Sequence, residues 1–319
     1  MTFRIVTIGS PLAPSGAEIL AAAGIANLFT PAYPSREETI AFLTEHRPEA
    51  AIIRLIEKFD GAMMDAAPDL KVIVKHGTGT NDIDVDAAKA RGIAVLAATG
   101  VNAHSVAEHA LGLILALVKD FLRQDKRIRD GIWDKAGYCG RELRGQKLGL
   151  VGFGRIARSL ADMVHPIGLV VSAYDPFAPA ESFGQFVHPE PDLDKLLETS
   201  DIVSLHTPLL DATRGMIDAR RIGSMKKGAI FINTSRGEVV DEPALIAALQ
   251  SGRIGAAGLD SFAQEPPPAS ALWTMDNVIM TPHVAGVTED AKAAISAISV
   301  GNALDFLKGA AVDRSYFVS

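Results

Sequence analysis

The sequence predicts an α/β protein built as two domains with parallel sheets. Three observations carry this expectation. Short apolar runs alternate with helix-like runs along most of the chain, the order that parallel βαβ units require. The chain has 319 residues, enough for two domains of ordinary size. The stretch Lys147-Leu148-Gly149-Leu150-Val151-Gly152-Phe153-Gly154-Arg155-Ile156-Ala157 sets two glycines between an apolar run and a helical one. An acid, Asp175, closes the next apolar run.

The first domain starts with strands at Phe3–Ile8, Ala50–Arg54, Lys71–Lys75 and Ile93–Leu96. Between them Ala17–Ala23, Arg36–His46 and Val85–Arg91 read as helices. Ser35 and Glu38 have the spacing of a capping box, in which each residue satisfies the other's backbone N–H. Ser105 and Glu108 repeat that spacing before His109–Arg129, read as one long helix. Its apolar first half, Ala110–Val118, predicts burial on several sides. Gly131–Arg144 reads as a looser arm. The second domain has strands at Leu148–Val151, Val170–Tyr174, Ile202–Leu205, Ala229–Asn233, Gly255–Leu259 and Val278–Met280. Its helices include Arg155–Val164, Leu193–Thr199 and Pro243–Leu249. A last helix, Thr288–Leu307, returns to the first domain, and Pro266-Pro267-Pro268 is a rigid loop. The expected domains are residues 1–101 completed by 286–319, and residues 102–285.

Composition bounds the function. Hydrophobic residues make up 48 % and charged residues 22 %, as in globular proteins. A net charge of −7 argues against nucleic-acid or bilayer surfaces as partners. The basic cluster Arg123, Lys126, Arg127 and Arg129 reads as a solvated helix face. Cys139 is the sole cysteine, which excludes an intrachain disulfide and suits a reducing compartment. Neither a signal peptide nor a membrane span is legible, so a cytoplasmic location is expected. No metal site is expected.

The glycine stretch points to a dinucleotide. Gly152 permits the tight turn, and Gly154 lets the backbone approach a pyrophosphate at the helix start. Asp175 stands where a carboxylate accepts hydrogen bonds from both ribose hydroxyls of NAD and repels the 2′-phosphate of NADP. Pro176 and Phe177 follow, with no Arg to hold such a phosphate. The cofactor expected is NAD. An Asp that merely caps the next turn is the alternative.

Ligands of a parallel sheet bind beyond the carboxyl ends of its strands. Arg236, Glu265, His283 and His206 all follow such ends, as does His76 in the first domain. Hydride transfer between a hydroxy acid and NAD needs a proton donor, for which His is suited, and a carboxylate beside it. It also needs a guanidinium that forks onto the substrate carboxylate. His283, Glu265 and Arg236 supply these parts. Each has a plainer alternative: a core histidine, an exposed loop acid, a strand-end cation.

The chain resembles the NAD-dependent D-isomer-specific 2-hydroxyacid dehydrogenases, the superfamily of phosphoglycerate dehydrogenase and glyoxylate/hydroxypyruvate reductase. The resemblance runs from about Ile52 to Thr288. Beside the glycine stretch it rests on Asn233-Thr234-Ser235-Arg236-Gly237, Gly258-Leu259-Asp260, Glu265-Pro266 and Thr281-Pro282-His283. Val106-Ala107-Glu108 and His206-Thr207-Pro208-Leu209 also fit. It implies a flavodoxin-like substrate domain beside a Rossmann domain, with a cleft between them. Arg236 would bind substrate, and His283, oriented by Glu265, would be the acid–base residue. Gly152, Gly154, Arg155, Ile156, Asp175, His206, Thr207, Pro208, Thr234 and Ser235 would bind the cofactor. Asp260 would take the nicotinamide carboxamide, and Ser105 would lie near the phosphate unless it is a plain N-cap. Arg54, Thr78, Gly79 and Asn102 would bind substrate.

The chain departs from the family at Asn81-Asp82, usually Asp-Asn, and at Ser261. Thr78 and Thr80 make the substrate loop unusually polar. These leave the substrate open among small 2-oxo and 2-hydroxy acids, and a phosphate-bearing one would want cations at Arg54, Lys75 or His76. An end at Ser319 implies no added regulatory domain. A homodimer through the Phe121–Arg144 arm is expected. The alternatives on the same fold are an NAD-responsive corepressor and a formate or phosphite dehydrogenase; formate-type enzymes carry Gln where Glu265 stands.

Overall fold

The structure, a computed structural model, describes residues 3–318. Met1, Thr2 and Ser319, which the expected domain bounds include, lie outside the described residues. The chain divides into two compact units. One runs through Asn102 and resumes at Val287, and the other is Ala103–Gly286.

The first unit holds β1 (Ile5–Ile8), β2 (Leu28–Phe29), β3 (Ala50–Ile53), β4 (Val72–Lys75) and β5 (Ala94–Ala97). All pairs are parallel, in the order β2-β1-β3-β4-β5. That is the flavodoxin-like order. β1 and β3 are buried at every position, because helices cover both faces of the sheet. The capping box forms as expected: Ser35 Oγ accepts from Glu38 N at 3.1 Å and Glu38 Oε2 accepts from Ser35 N at 2.7 Å. The helix Glu289–Lys308, capped by Thr288, packs on this sheet through Val300, Ala303 and Leu304. β2 and the short helix Gly61–Asp65 escape the sequence reading. Each is too short to show a period, and both residues of β2 are exposed.

The second unit holds β6 (Lys147–Val151), β7 (Val170–Tyr174), β8 (Val187–Pro189), β9 (Ile202–Leu205), β10 (Ala229–Asn233), β11 (Ile254–Leu259) and β12 (Val278–Met280). The sheet is parallel, in the order β12-β11-β10-β9-β6-β7-β8. It contains the dinucleotide-fold order, with one strand more than the six expected. The strand missed is β8, an edge strand of sequence Val-His-Pro with a single buried residue. A helix at Ala219–Ser224 was also missed.

Two expectations about the long helix are corrected. It is broken into Ala103–Val118 and Phe121–Arg129, because Asp120 takes a left-handed φ of 53°. The sequence lacks a Gly or Pro at that point, so nothing announces the break. The first helix also begins two residues before Ser105, which sits in its first turn and not at its N-cap. The basic cluster is neutralised by neighbours: Arg123, Lys126, Arg127 and Arg129 pair with Asp120, Asp130, Asp134 and Asp125. No helix among the described residues is long and apolar enough to cross a membrane.

Candidate active site

The glycine loop of the second unit follows β6. Gly152 has φ +88°, and a Cβ there would lie 2.9 Å from the His206 carbonyl oxygen. Glycine is required on both counts. Ala157 is fully buried against the sheet. Asp175, at the end of β7, accepts from Phe153 N at 2.8 Å and from Phe177 N at 2.9 Å. The turn-capping role and the loop-tethering role are therefore both present. A carboxylate has about four acceptor positions, so about two remain.

These residues fit a dinucleotide. No atom lies within 4 Å of the position a Cβ would take on Gly154. The helix Arg155–Val164 starts there without a side-chain cap bond, which suits an anion at its first turn. Buried polar atoms without a protein partner lie beside this loop or at nearby strand ends: His206 Nδ1, Thr207 Oγ1 and Thr234 Oγ1. Pro208 follows on the same strand end, its carbonyl taken by Thr213.

His206 is held neutral. Burial pushes its imidazole down to about 4, and Nε2 lies 2.9 Å from Ser204 Oγ. Its unfolded value is roughly 6.5, so the unfolded chain binds the proton more tightly. The cost is absent above that value, grows as pH falls through it, and levels off below about 4. Stability is expected to drop across this window by about 3 kcal/mol from His206 alone. Thermal midpoints from pH 7.5 to 4 would test it, and His206→Gln should flatten part of the slope; an unchanged slope would refute the assignment.

Arg236 and Glu265 are brought near one another by a packing requirement. Asn233, at the end of β10, is 1 % exposed. Its Oδ1 accepts from Ser235 N at 3.0 Å and Ser235 Oγ at 2.8 Å, while Nδ2 donates to the Arg236 carbonyl at 3.0 Å. A Cβ on Gly237 would fall 1.9 Å from the Phe262 carbonyl carbon. Only glycine lets the Arg236 loop close against the segment that leads to Glu265. Arg236 donates to the Ser235 carbonyl at 2.7 Å.

Glu265 Oε2 lies 2.8 Å from His283 Nδ1, and Oε1 accepts from Phe262 N at 3.1 Å. Burial opposes ionisation of Glu265, but the His283 ring, the Phe262 N–H and the Arg236 charge outweigh it and set the carboxyl below its ordinary value. His283 itself has φ +53°, uncommon for a residue other than glycine. The turn bearing it is tied to Asp260, at the end of β11. Asp260 Oδ1 accepts from Val284 N at 2.9 Å and Thr281 Oγ1 at 2.5 Å, and Oδ2 accepts from Ala285 N at 2.8 Å.

The remaining expected residues lie in the first unit or at its edge. Burial lowers the Arg54 guanidinium, which donates to Ser10 and Pro11; its Nε is buried without a partner. Lys75 is paired with Asp82 and donates to the Arg54 carbonyl at 3.3 Å. The swap to Asn81-Asp82 thus supplies a counter-ion for a lysine. Burial, then the Arg54 charge, pushes His76 down to about 3, and its Nε2 meets Ser296 Oγ at 2.8 Å. His76 is neutral near pH 7, so it adds no cation for a phosphate. Thr78 Oγ1 accepts from Gly100 N at 3.5 Å; Gly79 lies in the same loop, and Asn102 ends the segment. Ser105 and Arg155 each stand at the start of a helix in the second unit.

Residues 111–285 match the model of the D-isomer specific 2-hydroxyacid dehydrogenase, NAD binding domain. The chain belongs to this family. The matched part is the family's NAD-binding domain, and NAD is the cofactor here. The (S)-sulfolactate dehydrogenase of Chromohalobacter salexigens is 43 % identical over 255 residues, 79 % of this chain and 82 % of that one. The D-3-phosphoglycerate dehydrogenase of Archaeoglobus fulgidus is 37 % identical over 276 residues, 86 % of this chain but 52 % of that one. The chain thus spans about half the length of that relative. Among solved structures, D-lactate dehydrogenase from Aquifex aeolicus complexed with NAD and lactic acid gives a TM-score of 0.85 at 30 % identity, covering 99 % of each chain.

Proposed function

We propose that this protein reduces a 2-oxo acid to the D-2-hydroxy acid, or runs the reverse reaction, with Arg236, Glu265 and His283 as its working groups. The observation that carries this is the 2.8 Å contact between His283 Nδ1 and Glu265. It fixes the imidazole and points Nε2 away from the carboxylate as the atom free to exchange a proton with substrate.

Arg236 grips the substrate carboxylate with its fork and polarises the neighbouring carbonyl. Bound NADH supplies the hydride that the carbonyl carbon receives. Protonated His283 gives its proton to the carbonyl oxygen, and Glu265 stabilises the charged ring before transfer. Oxidation reverses each move, with His283 as base. On the cofactor side, Gly152, Gly154 and Ile156 present backbone to the phosphates and Asp175 meets the adenosine ribose. His206, Thr207, Pro208, Thr234 and Ser235 line the remainder, with Ser105 and Arg155 at helix starts.

The substrate reading rests on Arg54, Thr78, Gly79 and Asn102 as its binding residues. Arg54 retains a buried donor without a partner, so an acid with a second anionic group, such as a sulfonate or phosphate, is favoured. The stereochemical label of the sulfolactate relative agrees with a D-specific site. Sulfur outranks the carboxyl carbon in priority, so (S)-sulfolactate has the spatial arrangement of a D-2-hydroxy acid. The decisive experiment is a panel of 2-oxo acids followed by NADH absorbance, with NADPH as control. Glyoxylate and hydroxypyruvate are set against sulfopyruvate and phosphohydroxypyruvate. Turnover of none refutes the reading, and turnover of formate or phosphite replaces it.

A homodimer through the Phe121–Arg144 arm belongs to the same proposal. Phe121, Leu122, Ile128 and Trp133 are all more than half exposed there, Trp133 at 81 %. Sedimentation at micromolar concentration should give twice the chain mass.

A further inference from the structure

Behind Asp260 the hydrogen bonds continue to a residue that the reaction does not require. Thr281 Oγ1 lies 2.5 Å from Asp260 Oδ1 and 3.0 Å from His109 Nε2. His109 is on the helix Ala103–Val118, whose Ala107, Ala110, Leu113 and Ile114 are buried in the core of the second unit. The direction of each bond follows from donor supply. An ionised carboxylate only accepts, so the single hydroxyl proton of Thr281 goes to Asp260. The threonine oxygen then has only lone pairs left for His109, which must carry its proton on Nε2. The chain therefore runs one way, from His109 N–H to Thr281 O–H to Asp260.

At its far end Asp260 receives the backbone N–H groups of Val284 and Ala285, the two residues after His283. His283 N also donates to the Thr281 carbonyl at 2.9 Å. Between these ties His283 has its left-handed φ of 53°. For a residue with a Cβ that conformation is strained, and it persists only where the surroundings fix it.

We propose that Thr281 and His109 are positioning residues for His283. They act through Asp260: the threonine hydroxyl fixes the carboxylate rotamer, and the carboxylate fixes the turn that aims the imidazole. His109 anchors the threonine hydroxyl to a buried helix, so the turn takes its reference from the core and not from the exposed loop. The inference rests on the reading of His283 as the proton-transfer group.

Thr281→Val keeps the shape of the side chain and removes the hydroxyl. Its expected kcat is about tenfold below that of the unaltered protein, with KM for the 2-oxo acid changed by less than about twofold. Thr281→Ser should restore kcat. His109→Phe should give a smaller fall in the same direction, since Thr281 can still donate to Asp260. Independently of turnover, the His283 Nδ1–H proton shared with Glu265 should give a downfield NMR resonance that broadens or shifts in Thr281→Val and returns in Thr281→Ser. A purely structural role would lower the thermal midpoint without that split or that signature. An unchanged kcat and an unchanged resonance in Thr281→Val would overturn the proposal. If instead His283→Ala keeps full turnover, the underlying reading of His283 has failed, and the resonance still reports whether Thr281 positions the ring.

Discussion

Replacing Arg236 with lysine is expected to lower kcat/KM for the preferred 2-oxo acid by roughly 10²–10³-fold. Lysine keeps the charge but loses the planar pair of N–H donors. A single ammonium cannot hold both carboxylate oxygens in one plane, and it leaves the carbonyl unpolarised. The loop should survive the change. Asn233 fastens it through the Ser235 backbone N–H and the Arg236 carbonyl, neither of which depends on the side chain at 236. NADH affinity should therefore stay within about twofold, since the dinucleotide is met by other residues. Steady-state kinetics with NADH fluorescence titration measures both. Near-normal kcat/KM in Arg236→Lys would remove the residue from the site.

His283→Ala is expected to lower kcat by about 10²–10⁴-fold, the usual range for a positioned proton donor. Glu265→Gln should cost less, because an amide oxygen still accepts from Nδ1 while the charge that favours imidazolium is lost. The order of severity is itself informative. If Glu265→Gln were as damaging as His283→Ala, the carboxylate would be taking part in proton transfer and not only orienting the ring. Solvent isotope effects on kcat in the unaltered protein should show a proton in flight and should vanish from the residual rate of His283→Ala.

The parallel α/β pattern was legible because buried strands read as apolar runs, and the strands that carry the site are of that kind. β6, β10 and β11 end in Val151, Asn233 and Leu259, close to where the hydrophobic runs stop. The strands that escaped were marginal to the core. β8 buries only Val187, and β2 buries nothing. The break at Asp120 was hidden because neither neighbour is a helix breaker. At the site, spacing on the sheet edge singled out Arg236, Glu265 and His283, but it left open what each touches. The histidines show why. His76, His206 and His283 all follow strand ends, yet two are half-buried and neutral while the third faces a carboxylate. Burial of that sort depends on residues such as Ser296, far away in sequence. The link from Thr281 to His109 spans 172 residues and had no sequence signal.

The fit of Gly237 against Phe262 has a practical corollary for anyone wishing to retarget this protein. The two loops touch backbone to backbone, with no room for even a methyl group, so neither can be re-shaped without displacing the other. A side chain at 237 would force the two loops apart, so libraries there would chiefly yield misassembled chains, whereas position 236 can vary without loss of the Asn233 ties.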